Sequence, residues 1–240
     1  MDKKVIKPES DSVRKMFSTI APKYDRANRI LSFGIDRYWR YVLVQWVAKQ
    51  KPKVVVDLAT GSGDVAFALQ KRLSDSTKVK GLDFCPRMLE QAIAKNKIHP
   101  EPYPIPFSLG DCLDLPLEDQ SVDALTIAFG FRNLENRRKG LKEMIRVLKP
   151  EGSLFVLEFT QPEKWFKPFY AFYLKYVLPR MAALSTGNQS AYQYLSGTID
   201  QFPDKEKIKC ELENAGFRSV VYKTLTAGTV AIHFSKKPPI

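Results

Sequence analysis

The chain of 240 residues has few of the side chains that build metal or disulfide sites. Its three cysteines, Cys85, Cys112 and Cys210, are far apart, and no two of them are separated by only two residues. This spacing argues against a zinc site or a disulfide framework and favours a reducing compartment. The two histidines, His99 and His233, are also isolated in the sequence, so we predict no metal site.

Long apolar runs are absent as well. No stretch has the length of a membrane-spanning helix, and the N-terminus has no apolar signal-peptide core, so we expect a cytoplasmic protein. Charge, by contrast, is plentiful: 38 Lys and Arg against 26 Asp and Glu give a net charge of +12. Such an excess either serves solubility alone or attracts an anionic partner, such as nucleic acid, a membrane surface or a phosphorylated substrate.

Short apolar runs alternate with helical patterns between residues 52 and 160. The predicted strands are 54–58, 79–82, 105–109, 124–128 and 153–158, and the helices between them are 64–73, 86–96 and 137–148. A helix at 205–215 precedes two more strands, at 220–225 and 229–234. The pattern predicts an α/β fold with a doubly wound, mostly parallel seven-stranded sheet and an antiparallel C-terminal hairpin.

Helical segments flank this α/β region. Apolar residues recur at helical spacing between residues 10 and 20, and residues 38–49 have a second helical pattern. The segment 165–181 places aromatic residues on one predicted helical face, namely Trp165, Phe169, Phe172, Tyr173 and Tyr176. We therefore expect an N-terminal helical lid over residues 1–50, an α/β domain over 51–240, and a helical substrate insertion at about 161–203.

A glycine-rich turn follows the first predicted strand. Gly61 and Gly63 allow a tight turn and a close approach of the backbone to a ligand, beside the free N–H groups of the next helix. Residues 61–66 also satisfy the Gly-x-Gly-x-x-Ala pattern of dinucleotide-binding proteins, and Asp83 follows 20 residues after Gly63. The turn alone therefore leaves a dinucleotide and other nucleoside ligands open.

Acidic residues at successive strand ends favour a ligand without phosphate. Asp57 ends the first strand, where a carboxylate suits an ammonium group, and Asp64 would repel a pyrophosphate at the helix N-terminus. Asp83 suits two ribose hydroxyls, and Asp111, beside Cys112, suits an adenine amino group. Each Asp alone is equally typical of a cap or a turn. Together, at the edge where α/β proteins bind ligands, they predict S-adenosylmethionine.

Further motifs resemble a known family over about residues 12–236. The motifs are residues 17–25, with Tyr24 and Asp25 at their end, and residues 126–133 and 146–152. The chain is similar to the demethylmenaquinone and 2-polyprenyl-benzoquinol C-methyltransferases of quinone biosynthesis, which are class I methyltransferases with a Rossmann-like fold. The resemblance implies cofactor contacts by Gly61, Ser62, Gly63 and Ala128.

The sequence departs from the family at a few positions. Asp36 stands where a His is usual, which puts a substrate role for that loop in doubt. Asp111 and Cys112 replace a more common Asn-Ala pair, so the adenine contact is expected to differ in detail.

The resemblance implies S-adenosylmethionine-dependent methylation of a ring carbon in a polyprenylated quinol, foremost demethylmenaquinol to menaquinol. The ubiquinone-pathway benzoquinol, another small lipid-like substrate and a non-catalytic dinucleotide binder remain alternatives. We expect no nucleic-acid partner, because the basic residues are not interleaved with aromatic ones as a stacking platform requires.

Arg132 and Asn133 follow the fourth strand, where the methyl group would point. We expect Arg132 to hold the quinol oxygen, directly or through a water that relays the proton, and Asn133 to orient that oxygen or the ring. The alternative is that Arg132 pairs with Glu135 or Glu158 and only shapes the loop.

Three tyrosines and one helix complete the predicted site. Tyr24 is expected on the lid, and Tyr192 and Tyr194 are expected to line the substrate cavity. Because a polyprenyl tail keeps its quinol in the bilayer, we expect peripheral contact with the inner face of the cell membrane, through segment 165–181. The alternative is that this segment packs on the sheet or on a second subunit of a homodimer.

Overall fold

One seven-stranded sheet organises the computed structural model, which describes residues 8–98, 103–178, 180, 194, 197–199 and 201–239. The strand order is β3-β2-β1-β4-β5-β7-β6. The strands are β1 Val54–Leu58, β2 Lys78–Asp83, β3 Phe107–Leu109, β4 Val122–Ala128, β5 Leu148–Phe159, β6 Arg218–Leu225 and β7 Val230–Lys236.

The first five strands are parallel, which confirms the predicted α/β fold. β7 pairs antiparallel with both β5 and β6, so β6 again runs in the direction of β5. The predicted antiparallel C-terminal hairpin is therefore confirmed, and of its two strands β7 is the one that runs opposite to the parallel strands. The chain order reverses between β1 and β4, and the crevice beyond the carboxyl ends of such strands is where doubly wound sheets bind ligands.

Eight α-helices have defined bounds in the described residues. They are α1 Ser10–Ile20, α2 Tyr24–Leu31, α3 Asp36–Lys49, α4 Asp64–Arg72, α5 Pro86–Ile98, α6 Arg137–Val147, α7 Lys167–Phe172 and α8 Lys205–Asn214. The helix predicted at 165–181 is shorter at its start, because Pro168 fixes the first turn of α7, and it continues as a π-helical turn, Tyr173–Val177. Over the described ranges, no helix combines the length and apolarity needed to cross a bilayer.

The core lies on both faces of the sheet. Neighbouring residues of β1 point to opposite faces, so Val55 packs with α3 and α4 while Val56 packs with α6 and α8. Both valines are fully buried, as are Phe155 and Leu154 of β5. Strands covered on both faces need continuous rather than alternating apolar residues, which is why the sequence predicts their positions.

The N-terminal helices pack across the carboxyl edge of this sheet. Ala21, in the 3-10 turn Ala21–Lys23, contacts Cys85 and Met88, beyond the end of β2. Leu31 of α2 packs against Leu178, after α7. The N-terminal helices and the segment after β5 therefore meet above the ligand-binding edge.

Candidate active site

A cavity of about 670 Å³, partly open to solvent, lies at the carboxyl ends of β1, β2 and β4. Three acidic residues, Asp83, Asp111 and Glu135, line it, and its described lining has no Lys, Arg or His. Such a wall suits a cationic nucleoside ligand and gives a pyrophosphate no counter-charge. We call it the cofactor cavity.

Asp83 is held rigidly at the wall of the cofactor cavity. Its Oδ2 accepts a hydrogen bond from the backbone N–H of Gly61 at 2.7 Å, and its Oδ1 accepts one from that of Cys85 at 2.8 Å. Gly61 adopts φ +59°, a conformation that suits glycine. Burial raises the pKa of Asp83 to about 6. Each carboxylate oxygen keeps acceptor capacity, so two ligand hydroxyls could bind there.

The remaining predicted cofactor residues divide into two groups. Asp111, Cys112 and Ala128 line the cofactor cavity, as Gly61 and Asp83 do. Asp111 is exposed and accepts a hydrogen bond from the Leu113 N–H at 2.8 Å. Cys112 is a neutral wall residue, because burial raises its pKa to about 12.

Asp57, Ser62 and Gly63 shape the turn and lie off the cavity wall. Both carboxylate oxygens of Asp57 accept hydrogen bonds at 2.6 Å, from the hydroxyls of Thr60 and Thr126. Burial raises the pKa of Asp57 to about 6. The Ser62 hydroxyl donates to Asp25 of α2. At Gly63, φ is +86°, and an added Cβ would lie 2.8 Å from the ring of Phe67, so this glycine serves packing.

A larger cavity, of about 1010 Å³, adjoins the cofactor cavity. Phe17, Tyr24 and Phe129 line both, so the two cavities meet at these side chains. The wall of the larger cavity is mainly apolar and aromatic, and it includes Trp39, Phe159, Tyr170, Tyr173, Leu174 and Leu178. We call it the substrate cavity.

Arg132 is the buried cation of the substrate cavity, with only 8% of its surface exposed. Its Nη1 donates to Glu158 Oε1 at 2.7 Å and to the Phe129 carbonyl at 2.6 Å, and its Cζ lies 5.3 Å from the centre of the Phe159 ring. Its Nε–H is buried and has no partner in the described part of the chain. The predicted pairing of Arg132 with Glu158 is thus confirmed. The alternative prediction, that Arg132 pairs with Glu135, is wrong, because the Glu135 carboxylate accepts hydrogen bonds from Ser10 of α1.

Asn133 and two of the predicted tyrosines lie close together. Asn133 lines the cofactor cavity, and its Oδ1 accepts a hydrogen bond from the hydroxyl of Tyr194 at 3.2 Å. Tyr194 lines the substrate cavity. Tyr24 lines both cavities and hydrogen bonds to Asn28; burial raises its pKa. Tyr192 lies outside the described residues.

An ion network that the sequence did not reveal ties the N-terminal helices to α4 and α5. Arg29 of α2 bridges Asp36 at 2.8 Å and Asp64 of α4 at 3.2 Å. Lys95 of α5 pairs with Asp64 at 2.9 Å and also with Asp25, and Arg40 pairs with Asp36. The charges of Arg40 and Lys95 outweigh burial and lower the pKa of Asp64. Asp36 is therefore a buried partner of two arginines at the substrate cavity wall.

The strand order and the flanking helices are the fold of class I S-adenosylmethionine-dependent methyltransferases. The fold is shared with a methyltransferase of Thermotoga maritima described as a possible histamine N-methyltransferase (TM-score 0.65, 19% identity, 93% of this chain and 98% of that one). It is also shared with an S-adenosylmethionine-dependent methyltransferase of Aquifex aeolicus (TM-score 0.57, 22% identity, 80% of this chain and 88% of that one).

The sequence comparisons identify the family within this class. The model of the ubiE/COQ5 methyltransferase family matches residues 4–237. Demethylmenaquinone methyltransferase of Thermus thermophilus is 46% identical over 93% of this chain and 100% of its own length. The ubiquinone/menaquinone biosynthesis C-methyltransferase UbiE of Geotalea daltonii is 39% identical over 95% of this chain and 97% of its own length. The chain belongs to the ubiE/COQ5 methyltransferase family.

Proposed function

We propose that the chain methylates a ring carbon of demethylmenaquinol to give menaquinol. The observation that carries the proposal is the junction, at Phe17, Tyr24 and Phe129, of an acidic cavity at the strand ends and an apolar cavity that contains a buried arginine. The names of the relatives point to the same substrate class.

The residues of the smaller cavity fit S-adenosylmethionine. Asp83 would bind the ribose hydroxyls, Asp111 the adenine amino group, and Gly61, Cys112 and Ala128 the faces of the nucleoside. The cofactor supplies an electrophilic methyl group on a sulfonium cation. Asp57, Ser62 and Gly63 support this site by holding the turn in shape.

In the substrate cavity, the chain must hold a quinol oxygen and exclude water. The guanidinium of Arg132 would stabilise negative charge on that oxygen as its proton leaves, which makes the neighbouring ring carbon nucleophilic. Asn133 would orient the oxygen or the ring. The aromatic rings of Phe129 and Phe159 keep the surroundings dry, which strengthens the attraction between Arg132 and the developing anion.

We further propose that α7 and the turns beside it contact the membrane. Trp165, Phe169, Phe172 and Tyr176 are between 42% and 65% exposed, and exposed lysines lie among them, at 164, 167 and 175. Exposed aromatics flanked by cations suit an anionic bilayer surface. Tyr173, predicted on the same face, lines the substrate cavity instead.

Liposome flotation tests this contact. Replacing Trp165, Phe169 and Phe172 together by Ser should abolish binding to vesicles that contain anionic lipid, while the control Tyr103→Ser, at an exposed aromatic elsewhere, should bind normally. Vesicle binding that survives the triple change would contradict the proposal. Loss of self-association in sedimentation, without loss of vesicle binding, would assign the surface to a homodimer instead.

The function itself is tested by transfer of a radiolabelled methyl group. Purified protein is given demethylmenaquinol, the 2-polyprenyl-benzoquinol of the ubiquinone pathway, or oxidised demethylmenaquinone. We expect label in the first and none in the oxidised form, since the oxidised ring is not electron-rich. Label only in the benzoquinol would shift the proposal to the ubiquinone pathway, and no label in either quinol would refute it.

A further inference from the structure

Arg132 and Glu158 form a buried ion pair at the wall of the substrate cavity. Their side chains are 7% and 2% exposed, respectively. Glu158 lies near the end of β5, and Arg132 lies in the 3-10 turn Phe131–Asn133 that follows β4. The pair therefore joins the ends of two neighbouring strands at the edge where both cavities open.

The carboxylate of Glu158 holds Arg132 at two points. Its Oε1 accepts from the guanidinium Nη1 at 2.7 Å, and its Oε2 accepts from the backbone N–H of Arg132 at 3.1 Å. Oε1 also accepts from the backbone N–H of Phe159 at 2.9 Å, which fixes the carboxylate itself. The orientation of the guanidinium is thus set by a side chain that does not line the cavity.

Stability gives little reason for this arrangement. Desolvation of two buried charges commonly offsets their mutual attraction. The Nε–H of Arg132 is in addition buried without a partner in the described part of the chain, so the pair is incompletely hydrogen-bonded. Arg132 nevertheless lines the substrate cavity, and its guanidinium, held in place by Glu158, presents a positive charge to a ligand oxygen there.

We propose that Glu158 is a positioning residue that acts through Arg132. It holds the guanidinium in the geometry that binds the quinol oxygen, and its negative charge moderates the positive field there. This inference rests on the proposed methylation of a quinol. Removing the charge of Glu158 would leave Arg132 unopposed, so the bound quinol hydroxyl would lose its proton at lower pH.

The phenols near the pair keep their charge state through the neutral pH range. Tyr24 of α2, Tyr170 of α7 and Tyr194 face the pair, and burial raises the pKa of each phenol, so all three stay neutral. Arg40 of α3 lines the same cavity, where it pairs with Asp36. Asp57 and Asp83, at the adjoining cofactor cavity, have pKa values of about 6 and titrate in the same range. The acid limb of the kcat profile is therefore compared between the Glu158→Gln and unsubstituted chains, which share both aspartates, and the difference reports on the Arg132–Glu158 pair and the quinol.

Two substitutions separate charge from geometry. Glu158→Gln keeps the size and removes the charge, but its amide nitrogen cannot accept one of the two hydrogen bonds from Arg132. We therefore expect kcat to fall by about tenfold or more because Arg132 is less firmly positioned, and the acid limb of the kcat profile to move about one unit lower because the charge is lost. Glu158→Asp keeps the charge but shortens the reach, so kcat should fall while the acid limb stays in place. The control is Glu151→Gln, at the exposed start of β5, where Glu151 pairs with Lys236.

Folding is checked by thermal unfolding, and S-adenosylmethionine binding by calorimetry, so that kcat refers to folded protein. A folded Glu158→Gln protein with the kcat and pH profile of the unsubstituted chain would overturn the inference, and so would a change in stability alone. If Glu158→Gln does not fold but Glu158→Asp does, a kcat of the Glu158→Asp protein equal to that of the unsubstituted chain would overturn the inference. A failure of the unsubstituted chain to methylate demethylmenaquinol would instead contradict the proposed function.

Discussion

Acidification should weaken cofactor binding through Asp83. Its pKa in the free protein is about 6, against an ordinary value of 3.8, because burial disfavours its charge. Hydroxyls of a bound ribose would donate to the carboxylate and favour its ionised form, so binding should release a proton below about pH 6. At pH 5 about one tenth of the free protein has Asp83 ionised, so the affinity should be about tenfold lower than at pH 8, or about 1.4 kcal/mol.

Isothermal titration calorimetry with S-adenosylmethionine from pH 5 to pH 8, in two buffers of different ionisation enthalpy, measures the affinity and the released proton together. Asp83→Asn should bind the cofactor about ten- to a hundredfold more weakly at pH 8, since hydrogen bonds to a charged acceptor contribute about 1.5–3 kcal/mol. This variant should also lose the pH dependence. Asp75→Asn, on the surface, is the matched control. A flat affinity in the folded unsubstituted protein would refute the reasoning.

Three other substitutions test separate parts of the site. Arg132→Ala should lower kcat by about a hundredfold or more without unfolding the chain, as steady-state kinetics and thermal unfolding would show; unchanged turnover would contradict the assigned role. Gly63→Ala should lower the free energy of unfolding by about 2 kcal/mol, because φ is +86° and the new Cβ would meet Phe67; urea unfolding with an unchanged midpoint would argue against this. The pKa of Asp57 is about 6 in the folded protein, so between pH 4 and pH 6 the folded state binds more protons than the unfolded state. The contribution of Asp57 therefore lowers the free energy of unfolding as pH rises through that window, by up to about 3 kcal/mol. Asp57→Asn should reduce this slope in urea unfolding at pH 4, 5, 6 and 7, and an equal slope would count against the burial argument.

The sheet and part of the cofactor cavity were predictable because their determinants are local. Strands covered on both faces are apolar throughout, and Asp83 and Asp111 follow strand ends that must meet at one edge. Gly61 was predictable for the same reason.

The roles of Asp57 and Ser62 depend on residues distant in the sequence. Asp57 accepts from Thr126, and Ser62 donates to Asp25. Spacing along one strand and turn cannot show that remote groups already occupy these polar atoms. The ion network around Asp64 was missed for the same reason, since its partners come from three other helices.

The aromatic segment after β5 shows a different limit. A period of 3.6 residues places Tyr173 beside Phe169 and Tyr176. The π-helical turn Tyr173–Val177 changes the rotation per residue, so Tyr173 lines the substrate cavity while Phe169 and Tyr176 stay exposed. Periodicity alone assumes one helix type and could not separate these side chains.

The position of the transferred methyl group tests the central claim most directly. A single turnover with carbon-13 methyl-labelled S-adenosylmethionine and demethylmenaquinol, followed by NMR of the extracted product, locates the label. The account predicts one labelled methyl on the ring carbon beside a hydroxyl with the unsubstituted chain, and almost none with Arg132→Ala. A label on oxygen, or an equal yield of ring-methylated product from the Arg132→Ala chain, would contradict it.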